Sequence, residues 1–566
     1  MGQRKDIARV RDRFSLLLAF SCLGWAGCGG EPGSPGSAQV EPSQVLALHP
    51  AHNVSQDPEL PAAPQAAGRL RITPIGGYLH GKKFATSAAE IITYDSTTKR
   101  LFVVNGEEQQ IDILEIADPA TPKLVGTVDV GQHGDPTSIA SHDGKLAACV
   151  TPPSRGETGK AVFFNAEGEV LKVLDVGHKP DMLTFSPDGR WLLVSNEGAP
   201  EPDYSFDPEG SISQIDLADG IENLKPSHVT TLDFRKFNNQ RESLDRSIRI
   251  FGPGATVAQD LESEYIAVSP DSKTAWIVCQ ENNAVAIADL EKKEITRLVG
   301  LGFKDYSLEG NGFDASDKDD KIRTRPWPVK GMYQPDGTIC FTAEGKNYLI
   351  SANEGKHRGH SGFSEDCRVK DLKLDPAAIP NAKELQKKEH LGRLKTTTAT
   401  GDANGDGLHE EIYSYGARSF TIWNADASLV FDSGDQFERI LTELDPKYFN
   451  SDHESHALDN RSDNKGPEPE GVVVGEIDGR TYAFILLERM SGFLVYDISD
   501  PTAPVFDGYV QTRDYGSKPD VGSGGDLGPE GGVFIPGAKS PTGKPLLAVS
   551  YEVSGTTRIF EITATP

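Results

Sequence analysis

Five residues spaced two apart, in the run Asp402-Ala-Asn404-Gly-Asp406-Gly-Leu408-His-Glu410, form the sharpest chemical pattern in this sequence of 566 residues. Oxygen-bearing side chains stand at the first, third, fifth and ninth places, and glycine follows the third ligand. The Leu408 carbonyl adds a ligand at the seventh place, giving the oxygen-rich set that suits Ca2+. An EF-hand would carry Glu at place twelve, where this chain has Tyr413. The run is therefore read as a short structural calcium loop, against the plainer reading of an Asp/Asn/Gly-rich turn.

A second set recurs along the chain. Glu90, Asp181, Glu264, Glu470 and Glu530 each open a short apolar run, and Ser138 and Lys330 stand in the matching places of two further runs. If these runs share an axis, their carboxylates repel unless a cation or basic group compensates. The compensating group is a metal ion such as a second Ca2+, Lys330 or an incoming arginine, and Glu264, Lys330, Glu470 and Glu530 are candidate catalytic residues should the chain be an enzyme. Asn105, Asn196, Glu197, Asn353, Glu354 and Glu488 end neighbouring runs and extend the set. A mixed-charge patch, Arg461 to Glu470, is expected to act with Asp314 to Asp320, Arg323 and Arg325, as a loop-pinning network or a holder of phosphate or sugar acid. His357/His360 and His453/His456 lie in Gly/Ser/Asp-rich stretches and read as surface residues. Nucleophile-elbow, P-loop, HExxH and GxGxxG motifs are missing, which leaves esterase, nucleotide-binding and zinc-protease readings without support.

The elements that must position these groups are strands. Glu90-Ile-Ile-Thr-Tyr-Asp … Leu101-Phe-Val-Val-Asn is matched by Asp181-Met-Leu-Thr-Phe … Leu192-Leu-Val-Ser-Asn-Glu, by Glu264-Tyr-Ile-Ala-Val … Trp276-Ile-Val-Cys, and by copies from Glu470 and Glu530. Asp-Gly and Pro-Asp-Gly pairs at 187–189, 335–337 and 478–479 read as hairpin turns. A repeat of this kind buries its apolar faces only against its own copies. Seven such units predict an all-β, seven-bladed β-propeller with WD40/YVTN-like blades, and the strand Arg69–Thr73 is expected to complete the last blade. Insertions are expected at about 218–261, 300–327 and 356–412, with short helices near Ala382–Lys388 and Phe437–Leu444.

Lys and Arg number 57 against 84 Asp and Glu, a net charge of −27. Removing the first 27 residues, with five basic and two acidic groups, leaves about −30. Such a chain repels phosphate backbones, which argues against nucleic acid. Residues 1–27 read as an export signal: Arg4, Lys5, Arg9, Arg11 and Arg13 precede an apolar stretch, Phe14 to Leu23, too short to span a bilayer. Trp25-Ala-Gly-Cys28 resembles a lipoprotein processing site with Cys28 as the lipidated residue, and 28–68 reads as a Pro/Ala/Gly/Ser tether before a propeller domain at 69–566. Cys149, Cys279 and Cys340 lie in apolar strand runs, as buried thiols do.

Several stretches resemble the choice-of-anchor I family: Phe251-Gly-Pro-Gly-Ala-Thr-Val, Gly300-Leu-Gly-Phe-Lys-Asp305, Arg418-Ser-Phe-Thr-Ile-Trp, Gly466-Pro-Glu-Pro-Glu-Gly471, Asp526-Leu-Gly-Pro-Glu-Gly531 and Glu552-Val-Ser-Gly-Thr-Thr. The family includes mesenchyme-specific cell-surface glycoproteins and the propeller portion of some bacterial proteins labelled alkaline phosphatases. The Pro-Glu-Gly motifs also look like those of phytase-like propellers, and the 402–410 run like the calcium loops of integrin-type propellers. The resemblance spans about residues 70–564 and implies a propeller displayed outside the cytoplasm by varied anchors. The expected protein is a monomeric, exported, surface-tethered lipoprotein, otherwise periplasmic or secreted, that binds Ca2+ and an extracellular glycan, protein or phosphate ester. Its membrane contact is through the lipid alone. The alternative is a calcium-dependent phosphoesterase working through the channel carboxylates.

Overall fold

Seven four-stranded antiparallel sheets hold most of the strands among residues 62–565, the residues described by the computed structural model. In chain order they span 92–129 (blade 1), 135–178 (blade 2), 180–233 (blade 3), 266–300 (blade 4), 338–432 (blade 5) and 469–511 (blade 6), with blade 7 built from 529–564 and Leu70–Leu79. Tight turns join neighbouring strands. Asp478 and Gly479 both adopt positive φ, 51° and 74°, the backbone that a two-residue hairpin on a twisted sheet requires. The second strands, such as Trp191–Asn196 and Leu546–Tyr551, are buried along their whole length because both faces are covered by neighbouring blades.

The core is divided into layers between successive sheets. Phe102, Val104 and Ile111 of blade 1 pack on Leu146, Ala148 and Val162 of blade 2. Equivalent apolar layers join blades 2 and 3, 3 and 4, 4 and 5, 5 and 6, and 6 and 7. A last layer sets Leu101, Val103 and Leu114 of blade 1 against Leu546, Ala548 and Ile559 of blade 7, so the series of sheets is cyclic. The circle is closed by the N-terminal strand: Leu70–Leu79 pairs antiparallel with Thr556–Ala564, from Leu70 opposite Ala564 to Leu79 opposite Thr556. This is the closure expected from Arg69–Thr73, in a strand of ten residues.

The chain ahead of that strand is also placed. Ala67 N–H donates to the Phe506 carbonyl, the Asp507 carboxylate accepts from the Arg69 and Leu70 amides at 2.9 Å each, and Arg439 donates to the Ala62 carbonyl. Residues 62–68, read as the end of a free tether, thus run along the outer strand of blade 6. The export signal and Cys28 lie outside the described residues.

Two insertion readings change. The segment 218–261 contains Val229–Asp233, the fourth strand of blade 3, because this weakly apolar stretch pairs with Ser211–Asp216. A further insertion lies between blades 5 and 6, at 433–468, and carries the helix Gln436–Leu444, which buries Phe437, Ile440 and Leu441. Segments 300–333 and 356–415 meet in a small sheet, where Lys330–Met332 runs antiparallel to Phe303–Asp305 and parallel to Tyr413–Ser414. They share a core of Tyr306, Phe313, Trp327, Leu391, Leu394 and Ile412. The helix expected near Ala382–Lys388 appears as Ala382–Leu385.

Candidate functional site

Each first strand begins with a bulge, and in six of the seven blades the bulge carries an acid. In blade 3 the pairing with the second strand skips from Pro180 to Met182 and leaves Asp181 out, and in blade 6 it skips from Pro469 to Val472 around Glu470. Glu264 in blade 4 donates its N–H to the Val278 carbonyl, while Val278 N–H donates to the Tyr265 carbonyl. Glu90 and Asp336 repeat this pattern with Val104 and Ala352. Six blades therefore place an acid at one hub position: Glu90, Asp181, Glu264, Asp336, Glu470 and Glu530.

Two sequence assignments are corrected by this register. In blade 2 the skipped residue is Thr137, between Pro136 and Ser138, so Ser138 is not the equivalent of the acids. In blade 5 the position belongs to Asp336, not Lys330. Pro335-Asp-Gly337 has the composition of a hairpin turn yet forms the bulge, while Lys330 lies in the small insertion sheet and pairs with Asp305 at 2.7 Å. The glycine after the acid has a steric reason. A Cβ on Gly337, Gly471 or Gly531 would stand 2.7–2.8 Å from the carbonyl oxygen of the acid in the next blade, Glu470, Glu530 or Glu90. The Glu-Gly and Asp-Gly pairs let blades 5, 6, 7 and 1 close together at the axis.

A second tier stands one or two residues beyond the second strands: Glu197, Glu281, Glu354, Glu488 and Glu552 in blades 3 to 7. Glu197, Glu354 and Glu488 were expected; Glu281 and Glu552 were missed, although Gln-Glu-Asn and Tyr-Glu end those runs. Among the described residues, the ligand oxygens of Glu197, Glu264 and Glu281 lie within 4.8 Å of one another, as do those of Asp336, Glu354 and Glu470, and of Glu354, Glu468 and Glu488.

Basic groups reach these acids from the loops. Lys356 Nζ lies 2.7 Å from Glu264, 3.6 Å from Glu281 and 3.7 Å from Glu197, and 44% of its side chain is open to solvent. Lys179 pairs with Glu197, and Arg358 with Asp260 and Glu262. On the other side Lys465 joins Glu354 and Glu468, and Arg461 and Arg489 also hold Glu468. These bases outweigh burial and keep the Glu468 carboxyl well below the usual range. The opposite holds next to it. Burial, then Glu354, Glu530 and Asp336, push Glu470 well up, while burial, Glu552 and Asp336 do the same to Glu530. Asp336 is pushed to about 8 by burial and Glu354.

The axis continues into a cavity of about 380 Å3 lined by first-strand residues, among them Ile91, Ser138, Met182, Tyr265, Cys340 and Gly531. The Tyr265 hydroxyl, raised by burial and by the charges of Asp336, Glu530, Asp181 and Glu470, sits where the acids give way to this lining. His453, read as a surface residue, is buried beside Glu488 at 3.4 Å and Arg489 at 2.8 Å. Arg461 to Glu468 and the Asp314–Asp320 stretch do meet, through Arg393, which pairs with Asp317 and Asp463 at 2.9 Å each.

The 402–410 run forms a compact exposed loop in which oxygens of Asp402, Asp406 and Glu410 lie within 4.8 Å of one another. Asp402 accepts from the amides of Gly405 and Gly407 at 2.7 and 2.8 Å, Asn404 donates to Glu410 at 2.7 Å, and Leu408 N–H donates to Asp406 at 2.8 Å.

Fold and hub together define a β-propeller with a two-tiered acidic hub and ionic insertion loops. The profile of the Choice-of-anchor I domain matches residues 90–501, and the chain belongs to that family. It is 31% identical over 188 residues to gigasin-3a of Magallana gigas, a match covering 30% of this chain and 64% of that protein. To the mesenchyme-specific cell surface glycoprotein of Strongylocentrotus purpuratus it is 24% identical over 326 residues, 49% of this chain and 42% of the relative. The chain thus spans less than two thirds of each of these relatives. Among solved structures it is similar to Kuenenia stuttgartiensis hydrazine synthase, with a TM-score of 0.44 and 14% identity over 86% of this chain and 99% of that one. Among the described residues no helix is long and apolar enough to cross a membrane.

Proposed function

We propose that this protein is exported, displayed at the cell surface through a lipid on Cys28, and binds an extracellular polar ligand, a glycan, at the hub mouth. The carrying observation is that insertion loops deliver Lys356 and Lys465 onto hub carboxylates, which makes loops and hub one rigid polar surface. Lys356, partly open to solvent over Glu197, Glu264 and Glu281, offers a donor beside acceptors, the pairing that hydroxyl-rich ligands use. Surface display draws on the family and on the name of the sea-urchin relative. Ca2+ at Asp402, Asn404, Asp406, Leu408 and Glu410 stiffens the insertion loop, a structural role.

Glycan-array binding of the purified chain, with and without Ca2+, tests the ligand reading, and Lys356→Gln is expected to reduce binding at least tenfold. Binding unchanged in Lys356→Gln would remove the hub mouth as the site. Palmitate labelling lost in Cys28→Ser tests the anchor.

A second reading, a phosphoesterase, is favoured by the convergence of Asp336, Glu354 and Glu470 beside Lys465. In it Asp336, Glu354 and Glu470 would hold a cation, which would supply an activated water and shield the phosphate charge, with Lys465 beside it, while hydrolysis would break the P–O bond to the alcohol and release the alcohol protonated. Release of nitrophenol from nitrophenyl phosphate in Ca2+, lost in Glu470→Gln, is its expected result; no turnover by the wild type refutes it.

A further inference from the structure

Three trios of converging carboxylates surround the hub mouth, and two of them contain a cation supplied by the chain. Lys356 stands among Glu197, Glu264 and Glu281, with Lys179 behind it. Glu354, Glu468 and Glu488 enclose Lys465 and are flanked by Arg461 and Arg489. The third trio, Asp336, Glu354 and Glu470, shares Glu354 and its lysine with the second trio, and among the described residues no basic side chain forms an ion pair with Asp336, Glu470 or the adjacent Glu530. Glu470 is only 9% exposed, and its Oε2 is buried without a hydrogen-bond donor. A buried carboxylate oxygen of this kind is costly unless something positive meets it.

We propose that Asp336, Glu354 and Glu470 bind a divalent cation, Ca2+, at the axis of the propeller, in the role that lysines play in the other two trios. The geometry suits the ion. Ligands on opposite sides of Ca2+, each at about 2.4 Å, are separated by about 4.8 Å, and one oxygen from each of the three carboxylates fits within that span. Carboxylate oxygens alone favour a hard cation over zinc or copper, which take imidazole and thiolate. The site is separate from the 402–410 loop; the proposal is independent of the glycan reading and concerns the cation on which the phosphoesterase reading depends, whose failure shows as no turnover rather than as no bound ion.

The test uses the full chain, stripped with EDTA and dialysed against Ca2+, with bound metal counted by mass spectrometry. Two ions per chain are expected in the wild type and one in Glu470→Gln or Asp336→Asn. The double variant Asp402→Asn/Glu410→Gln removes the loop site and isolates the axial one. In that variant Tb3+ luminescence excited through tyrosine is expected, and Tyr265→Phe is expected to cut it at least threefold. Circular dichroism of each variant separates lost binding from lost folding. If Glu470→Gln does not fold, the loop double variant decides: one ion retained supports the axial site, none overturns it. Unchanged stoichiometry and affinity in folded Glu470→Gln and Asp336→Asn also overturns it. A failure of the loop reading is distinct, because the loop double variant would then match the wild type.

Discussion

Glu468 is fully buried and holds three bases at once: Arg489 Nε and Lys465 Nζ at 3.0 Å each, and Arg461. Glu468→Gln keeps the shape and removes the charge. At an effective dielectric of about 20, a pair about 3 Å apart gains on the order of 5 kcal/mol before desolvation. Removing one partner of a buried ion pair costs about 3–5 kcal/mol, because the remaining charges stay buried without compensation. Unfolding entropy of about 2.1 cal/mol/K per residue over roughly 500 residues makes 1 kcal/mol worth about 1 °C, so the melting temperature should fall by about 3–5 °C. Glu476→Gln, on an exposed strand position, is the control and should shift it by less than about 1 °C. The pH dependence has a sign. Glu468 is lowered in the folded state, so its contribution is present above the unfolded carboxyl value and is lost as pH falls through the folded one. Scanning fluorimetry from pH 7 to pH 3 should show the two melting curves converging below about pH 4.5. A difference under 1 °C at pH 7, or one that persists undiminished at pH 3, would refute the reasoning.

Glu470 behaves oppositely in metal-free protein. Its carboxyl is raised in the folded state, so the penalty is absent at low pH and grows as pH rises; Glu470→Gln should melt increasingly above the wild type from pH 5 to pH 8 in EDTA. Gly471→Ala puts a Cβ 2.7 Å from the Glu530 carbonyl and 2.9 Å from Leu486, and should cost about 1–3 kcal/mol by denaturant titration. Gly508→Ala, which meets nothing within 4 Å, should fall within about 0.5 kcal/mol of the wild type. Limited proteolysis should cut the 402–410 loop faster in EDTA than in Ca2+, and Asp402→Asn should abolish the difference. Deleting the Leu70–Leu79 strand should expose the Thr556–Ala564 edge and yield aggregated protein by size-exclusion chromatography.

The repeat was legible because its period-two and fully apolar runs recur with turn residues between them, and five hub acids followed directly. Asp336 was not legible, since Pro-Asp-Gly carries the same signal whether it turns a hairpin or forms a bulge. Lys330 was drawn into the series by a neighbouring apolar run that belongs to the insertion sheet. Val229–Asp233 was hidden for a related reason: an outer strand packs one face only, and Thr230 and Thr231 dilute its pattern. His453 looked solvated because burial there depends on Glu488 and Arg489, which are distant in sequence. Charge partners of this kind leave no periodicity to read.

The placement of residues 62–79 has a mechanical consequence. Tension applied through the N-terminal segment meets the Arg439 hydrogen bond to Ala62, the Asp507 clasp on Arg69 and Leu70, and the Arg69–Asp497 ion pair before it reaches the ten-residue seam strand. Those contacts work as a strain relief, like the clamp on a cable. A pull on the chain ahead of residue 62 would have to break these contacts before it loaded the seam that keeps the circle shut.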